Sequence, residues 1–120
     1  MEKPDVTWRI FGMYLLVLLL ILISSSANGQ IKVEQYNASW NSANEVPWVM
    51  DLEDCKTYSY TDISKNPESA KKHKIAVIPT IIIFKDDEEV ARFQADLSFK
   101  MVATKEEVQE EIDNILMSDF

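Results

Sequence analysis

Between Val77 and Phe84 the chain reads Val-Ile-Pro-Thr-Ile-Ile-Ile-Phe, its most apolar stretch outside the first thirty residues. A short run of β-branched residues bounded by breakers predicts a strand buried on both faces. Such a strand belongs at the centre of a sheet covered on each side. The polar segment Lys85-Asp-Asp-Glu88 then predicts a tight turn at Asp86-Asp87, because aspartate tolerates left-handed backbone angles better than most residues. Glu89 to Ala95 is the returning strand of that hairpin.

The elements on either side follow from periodicity. Ile31-Lys-Val-Glu-Gln-Tyr36 alternates, which sends Ile31, Val33 and Gln35 to one face of a first strand. Asn41 to Leu52 has helical spacing, with Asn41 as a candidate cap, but Pro47 falls inside it and predicts a short or kinked element. Lys56 to Ile63 carries Tyr58, Tyr60 and Ile63 among serines and threonines and reads as a strand. Asn66-Pro67 opens a brief second helix that ends near Lys74. Thr104-Lys-Glu-Glu107 is a capping box, followed by Val108, Ile112 and Ile115 on one face of a last helix. The expected class is α/β, a mixed sheet of about four strands flanked by helices in the order β-α-β-α-β-β-α.

Residues 1–29 stand apart. Ile10 to Ile23 is fourteen residues without a charge, and extension through Ala27 gives eighteen. A spanning helix needs about 20 residues. Ala27 and Gly29 put small residues at −3 and −1 of a cut after Gly29, as an export signal requires. The expectation is a signal peptide or an uncleaved membrane anchor over 1–29 and a single domain over 30–120. Either leader puts the domain outside the cytoplasm, in a cell envelope of the bacterial type, periplasmic or secreted, and tethered only if the leader stays. The net charge of −8 over 120 residues argues against nucleic acid, whose phosphates it repels. A membrane is a partner only through an uncleaved leader.

Four local matches give the element order a family. Ala38-Ser39-Trp40 follows the first strand, Asp62-Ile63 precedes Asn66-Pro67, Ile78-Pro79-Thr80 comes twelve residues later, and Phe84-Lys85 closes the central strand. These are similar to the Ala-x-Trp, the strand end and helix start, the Ile-Pro-Thr with its cis-proline and the Phe-Lys of thioredoxins. The exported part, nearly all of Gln30 to Phe120, therefore resembles a thioredoxin-like fold, with Asn44 to Asp62 shorter than usual.

The resemblance implies a redox Cys-x-x-Cys directly after Trp40, and the chain has Asn41-Ser42-Ala43-Asn44 there. None of these can form a thiolate. The buried acid of the family would fall at Gln35, which cannot titrate. What the resemblance leaves is a groove of Trp40, Asn41, Asn44, Ile78 and Pro79 for a protein or extended peptide, with the Ile78 backbone free to pair if Pro79 is cis. No metal and no cofactor is implied.

The alternative is a thiol oxidoreductase acting in redox homeostasis through Cys55, the single cysteine. Lys56 favours its thiolate, and Glu53 and Asp54 oppose it. The plainer reading is a half-buried small apolar residue. His73 among Lys71, Lys72 and Lys74 reads as a solvated helix end, and Ser42 as a helix-start hydroxyl with no base beside it in sequence. Asn37-Ala38-Ser39 has the form of a glycosylation sequon in a tight position beside Trp40. Tyr36 reads as core, and Trp40 as an interface residue.

Overall fold

A computed structural model describes residues 30–118. The expectations for residues 1–29 lie outside them. Four strands form one mixed sheet in the order β2-β1-β3-β4. β1 (Ile31–Asn37) pairs parallel with β2 (Thr57–Asp62) and antiparallel with β3 (Thr80–Lys85), which pairs antiparallel with β4 (Glu88–Gln94). Helix α1 spans Pro67–Lys72 and α2 spans Lys105–Met117.

β3 is one of the two inner strands, buried on both faces from Thr80 to Phe84. On one face Ile31, Val33, Ile81 and Ile83 pack against Val46, Val49, Val108 and Ile112. Tyr36, Ile82 and Phe84 form a smaller core on the other, with Ile63 and Ile75. The alternation along β1 thus separates two cores, as its sequence implies. β3 begins at Thr80 rather than Val77: the Val77 carbonyl is turned out of the ladder and accepts a bond from the Thr80 hydroxyl at 2.6 Å, and the Ile78–Pro79 peptide between them is cis.

The hairpin turns at Asp86 and Asp87, whose φ values of 52° and 69° define a two-residue turn of the type that matches strand twist. Asp87 is held by Lys32 at 2.8 Å and Asp86 accepts from the Gln30 N–H at 3.3 Å, so both aspartates have a second use. The capping box of α2 is present in both directions between Thr104 and Glu107. Among the described residues no helix is long and apolar enough to cross a membrane.

The segment Asn41 to Leu52 is interrupted, as the expectation of a short or kinked element at Pro47 has it, but the helix type and the place of the break differ from an α-helix bent at the proline. It forms two 3-10 helices, Ser39–Asn44 and Pro47–Asp51, and Asn41 lies inside the first with non-helical angles instead of capping it. The break falls at Glu45-Val46. There the Gln35 side chain, fully buried, accepts from the Val46 N–H at 2.8 Å and donates to the Val46 carbonyl at 3.1 Å. A side chain from β1 therefore satisfies both backbone groups that a continuous helix would have paired internally.

Candidate functional site

Tyr36 pairs with Thr80, so the chain leaving β1 and the chain entering β3 emerge at the same end of the sheet. Ala38 is extended and buried, and it swings Trp40 outward, where the indole is 65% exposed. Directly behind it Asn41 is buried and fully bonded. Its side-chain amide donates to Asn37 Oδ1 at 3.1 Å and to the Phe99 carbonyl at 3.3 Å, and its Oδ1 accepts from Asn44 at 2.8 Å. Asn37 returns a bond to the Asn41 carbonyl at 3.2 Å. Among the described residues no buried side-chain nitrogen or oxygen lacks a partner. The two positions read as replacements for thiols are thus the middle of an amide network.

The network ends on a loop that sequence reasoning passed over. The Asp96 carboxylate accepts from the Ser98 N–H at 2.8 Å, the Ser98 hydroxyl at 2.6 Å and the Lys100 N–H at 3.2 Å. These bonds hold its carboxyl below the ordinary range, the Ser98 hydroxyl first. They also hold Phe99 at φ 65°, an unfavourable region for a bulky residue. So fixed, Phe99 meets Trp40 edge to face at 5.2 Å, and Leu97 projects beside it almost wholly exposed. An Asp followed two residues later by Ser is a turn signature, and apolar residues inside such a turn were the available signal.

Ile78 and Pro79 lie one strand over, with their side chains buried. The Pro79 carbonyl accepts from the Ala95 N–H at 3.0 Å, at the root of the Phe99 loop. The Ile78 backbone has no hydrogen bond among the described residues. Trp40, Asn41 and Asn44 are therefore gathered around the Phe99 loop, and Pro79 is tied to the root of that loop through Ala95. A cavity of about 260 Å³ opens next to Asn44, between Pro47 and Trp48 on one side and Lys100 and Met101 on the other.

Cys55 is elsewhere. The neighbouring Lys56 N–H bonds the Ile31 carbonyl at the start of β1, one strand length, or about 20 Å, from Asn37. Burial, and after it the Asp54 carboxylate, push its thiol up to about 11. At pH 7.4 the thiolate is then on the order of one molecule in several thousand. Alkylation of the folded chain at pH 7.4 is expected to run at least ~100-fold slower than in urea. A rate within tenfold of the unfolded chain's contradicts that burial.

Of two smaller expectations, the one for His73 needs revision and the one against a glycan at Asn37 agrees with the burial found there. His73 does end helix α1, as expected, but it is half-buried rather than fully solvated: its ring lies 5.6 Å from Tyr36 and 5.5 Å from Phe84, against the second core. Asn37 is fully buried and both ends of its amide are bonded to Asn41, so a glycan there is incompatible with the fold. Chain made in a glycosylating host is expected to keep its mass after glycosidase treatment. Among the described residues no group of acidic, His and Cys side chains is arranged to hold a metal.

No protein-family model matches this chain, and no curated protein sequence does. Solved structures do. It is similar to a mutant thioredoxin from Halobacterium salinarum, at 18% identity and TM-score 0.58, over 76% of this chain and 78% of that one. Thioredoxin 1 from Thermosipho africanus matches at 21% identity and TM-score 0.59, over 72% and 94%. The thioredoxin of Fasciola hepatica matches at 25% identity and TM-score 0.54, over 80% and 89%. The described residues form a thioredoxin-like domain.

Proposed function

We propose that this is an exported, redox-inactive thioredoxin-like domain that holds an extended peptide or a partner protein at the groove formed by Trp40, Asn41, Asn44, Ile78 and Pro79, with Phe99 as its outer lip. One observation carries the reading: the amide network of Asn37, Asn41 and Asn44 braces an exposed aromatic pair, and two of its members, Asn41 and Asn44, hold the positions that the resemblance assigns to reactive sulfur. Amides of this kind neither attack nor exchange, but they fix the loops that a ligand would meet. Trp40 and Phe99 supply rigid apolar area at low entropic cost, as interface anchors do. The free Ile78 backbone supplies a strand-like edge for a bound segment.

The position of the groove suits a tether. The leader joins the domain at Gln30, at the start of β1, whereas the groove lies past its far end. A domain held to a membrane through residues 1–29 would thus present Trp40 away from the bilayer. The oxidoreductase reading through Cys55 is disfavoured by the raised thiol and by its distance from the groove.

The test is a pair of measurements on the full chain in detergent. Insulin reduction by dithiothreitol should proceed no faster with the protein than without it. Panning of a random peptide library should return extended sequences whose binding is lost in Trp40→Ala. Insulin reduction that Cys55→Ser abolishes would transfer the function to the thiol, and selected peptides that bind Trp40→Ala equally well would remove the groove.

A further inference from the structure

The two edges of the sheet are built differently. β4 carries Glu88, Glu89 and Arg92, and its register with β3 slips between Ile83 and Phe84. Charges and bulges of this kind keep an edge from recruiting another strand. β2, at the opposite edge, is in unbroken register with β1 and reads Thr-Tyr-Ser-Tyr-Thr-Asp. It contains no lysine, proline or bulge, and five of its six residues are aromatic or hydroxyl-bearing.

The same segment is a palindrome. Outward from Ser59 the chain meets Tyr58 and Tyr60, then Thr57 and Thr61, and then the oppositely charged Lys56 and Asp62. We propose that β2 pairs antiparallel with β2 of a second copy of this chain about a two-fold axis at Ser59, which makes one continuous sheet of eight strands.

Backbone direction selects that register. The Ile63 N–H bonds the Asn37 carbonyl on β1 at 2.9 Å, so by strand alternation the odd-numbered residues of β2 face β1, whereas Lys56, just before the strand, turns its own N–H to the Ile31 carbonyl and offers the second copy only its side chain. The N–H groups of Tyr58, Tyr60 and Asp62 face outward, as do the carbonyls of the two tyrosines. An antiparallel partner exchanges bonds only between outward-facing residues, so even must oppose even. A pairing centred on Tyr58 sets Lys56 against Tyr60, and one centred on Tyr60 sets it against Ser64. The pairing centred on Ser59 sets Lys56 against Asp62 of the second copy, twice by symmetry, and lets Tyr58 and Tyr60 exchange both of their bonds.

The side chains agree with this choice. Lys56 has no ion-pair partner among the described residues. The Asp62 carboxylate accepts from the hydroxyls of Ser39 and Ser64, which hold its pKa down to about 2 and keep it charged at neutral pH. Tyr58 and Tyr60 share the face of Val33 and Gln35, so each tyrosine meets its cross-strand mate on one side of the joined sheet. A charge of −8 per copy opposes association, and the alternating Lys56–Asp62 contacts are what offset it locally.

The full chain in detergent, in a Cys55→Ser background, tests this through Ser59→Cys. Residues directly opposed in a non-bonded pair have Cα atoms about 4.5 Å apart, within reach of a disulfide. Diamide should convert Ser59→Cys to a covalent dimer, whereas Glu88→Cys on the β4 edge should remain a monomer. Sedimentation should give a dimeric mass without any cross-link, and Lys56→Glu should weaken that dimer at least tenfold. A monomeric mass at ~100 µM overturns the proposal, as does a dimer in which Ser59→Cys stays reduced. Insertion of a different strand at this edge would appear as the first of these outcomes.

Discussion

Replacing Gln35 with glutamate is expected to cost little near pH 4.5 and about 3–5 kcal/mol of folding stability at pH 8. Gln35 is fully buried and makes two bonds to Val46 and a third to the Tyr58 hydroxyl at 3.2 Å. A protonated carboxyl reproduces the essential pair, because it donates to the Val46 carbonyl and accepts from the Val46 N–H. An ionised one cannot donate, so it faces the carbonyl oxygen with a buried charge and no cation beside it. Desolvation and that repulsion raise the folded-state pKa above the unfolded value of about 4.3. Above about pH 4.3 the native state then binds more protons than the unfolded state, so stability falls as pH rises and levels off beyond the folded pKa. Urea unfolding of the variant against the parent chain at pH 4.5, 6 and 8 measures the difference. A gap that does not change with pH would mean that the side chain has left the interior, and the account of the break at Val46 would be wrong.

The same contact explains which parts of the fold were legible in sequence. Elements set by local chemistry read correctly: the alternation of β1, the Asp86-Asp87 turn, the Asn66-Pro67 helix start and the Thr104–Glu107 box all depend on residues a few positions apart. For the segment from Asn41 to Leu52 the interruption was legible, but the 3-10 geometry and the place of the break were not. Pro47 signals trouble, but what divides the segment into two 3-10 helices is a side chain eleven residues upstream of Val46, reached only once the strand is folded. The half-burial of His73 was missed for a related reason, since three neighbouring lysines describe a wet helix end until Tyr36 and Phe84 are placed beside it. The start of β3 moved from Val77 to Thr80, since the Val77 carbonyl is turned out of the ladder to the Thr80 hydroxyl.

The candidate site was legible in its replacements more than in its walls. Asn41 and Asn44 can be recognised by position, and so can Trp40. Their mutual bonding, and the role of Phe99 as the rim that Asn41 supports, require the loop at Asp96 to return across the sheet end. This matters for any attempt to restore redox chemistry by Asn41→Cys with Asn44→Cys. The pair would remove the bonds to Asn37 and the Phe99 carbonyl and leave buried groups on β1 and the loop without partners, so the thiols would arrive in a site that no longer holds its shape.

Trp40→Ala is expected to weaken binding of a peptide selected on the parent chain by about 30- to 1,000-fold, the range of 2–4 kcal/mol found for aromatic anchors. Folding stability should change by less than about 1 kcal/mol, because the indole is mostly in solvent before a ligand arrives. Phe99→Ala removes the other half of the edge-to-face pair and should cost about tenfold. The double variant separates two ways in which these rings could act. If they form one surface, removal of either already spoils the other, and the combined loss falls short of the product of the two by about 0.5–1.5 kcal/mol. If the losses multiply, Trp40 and Phe99 meet the peptide independently and the amide network behind them does not unite them. Should Trp40→Ala leave the dissociation constant unchanged while the peptide still binds, the anchor is not at this end of the sheet, whatever the rest of the domain resembles.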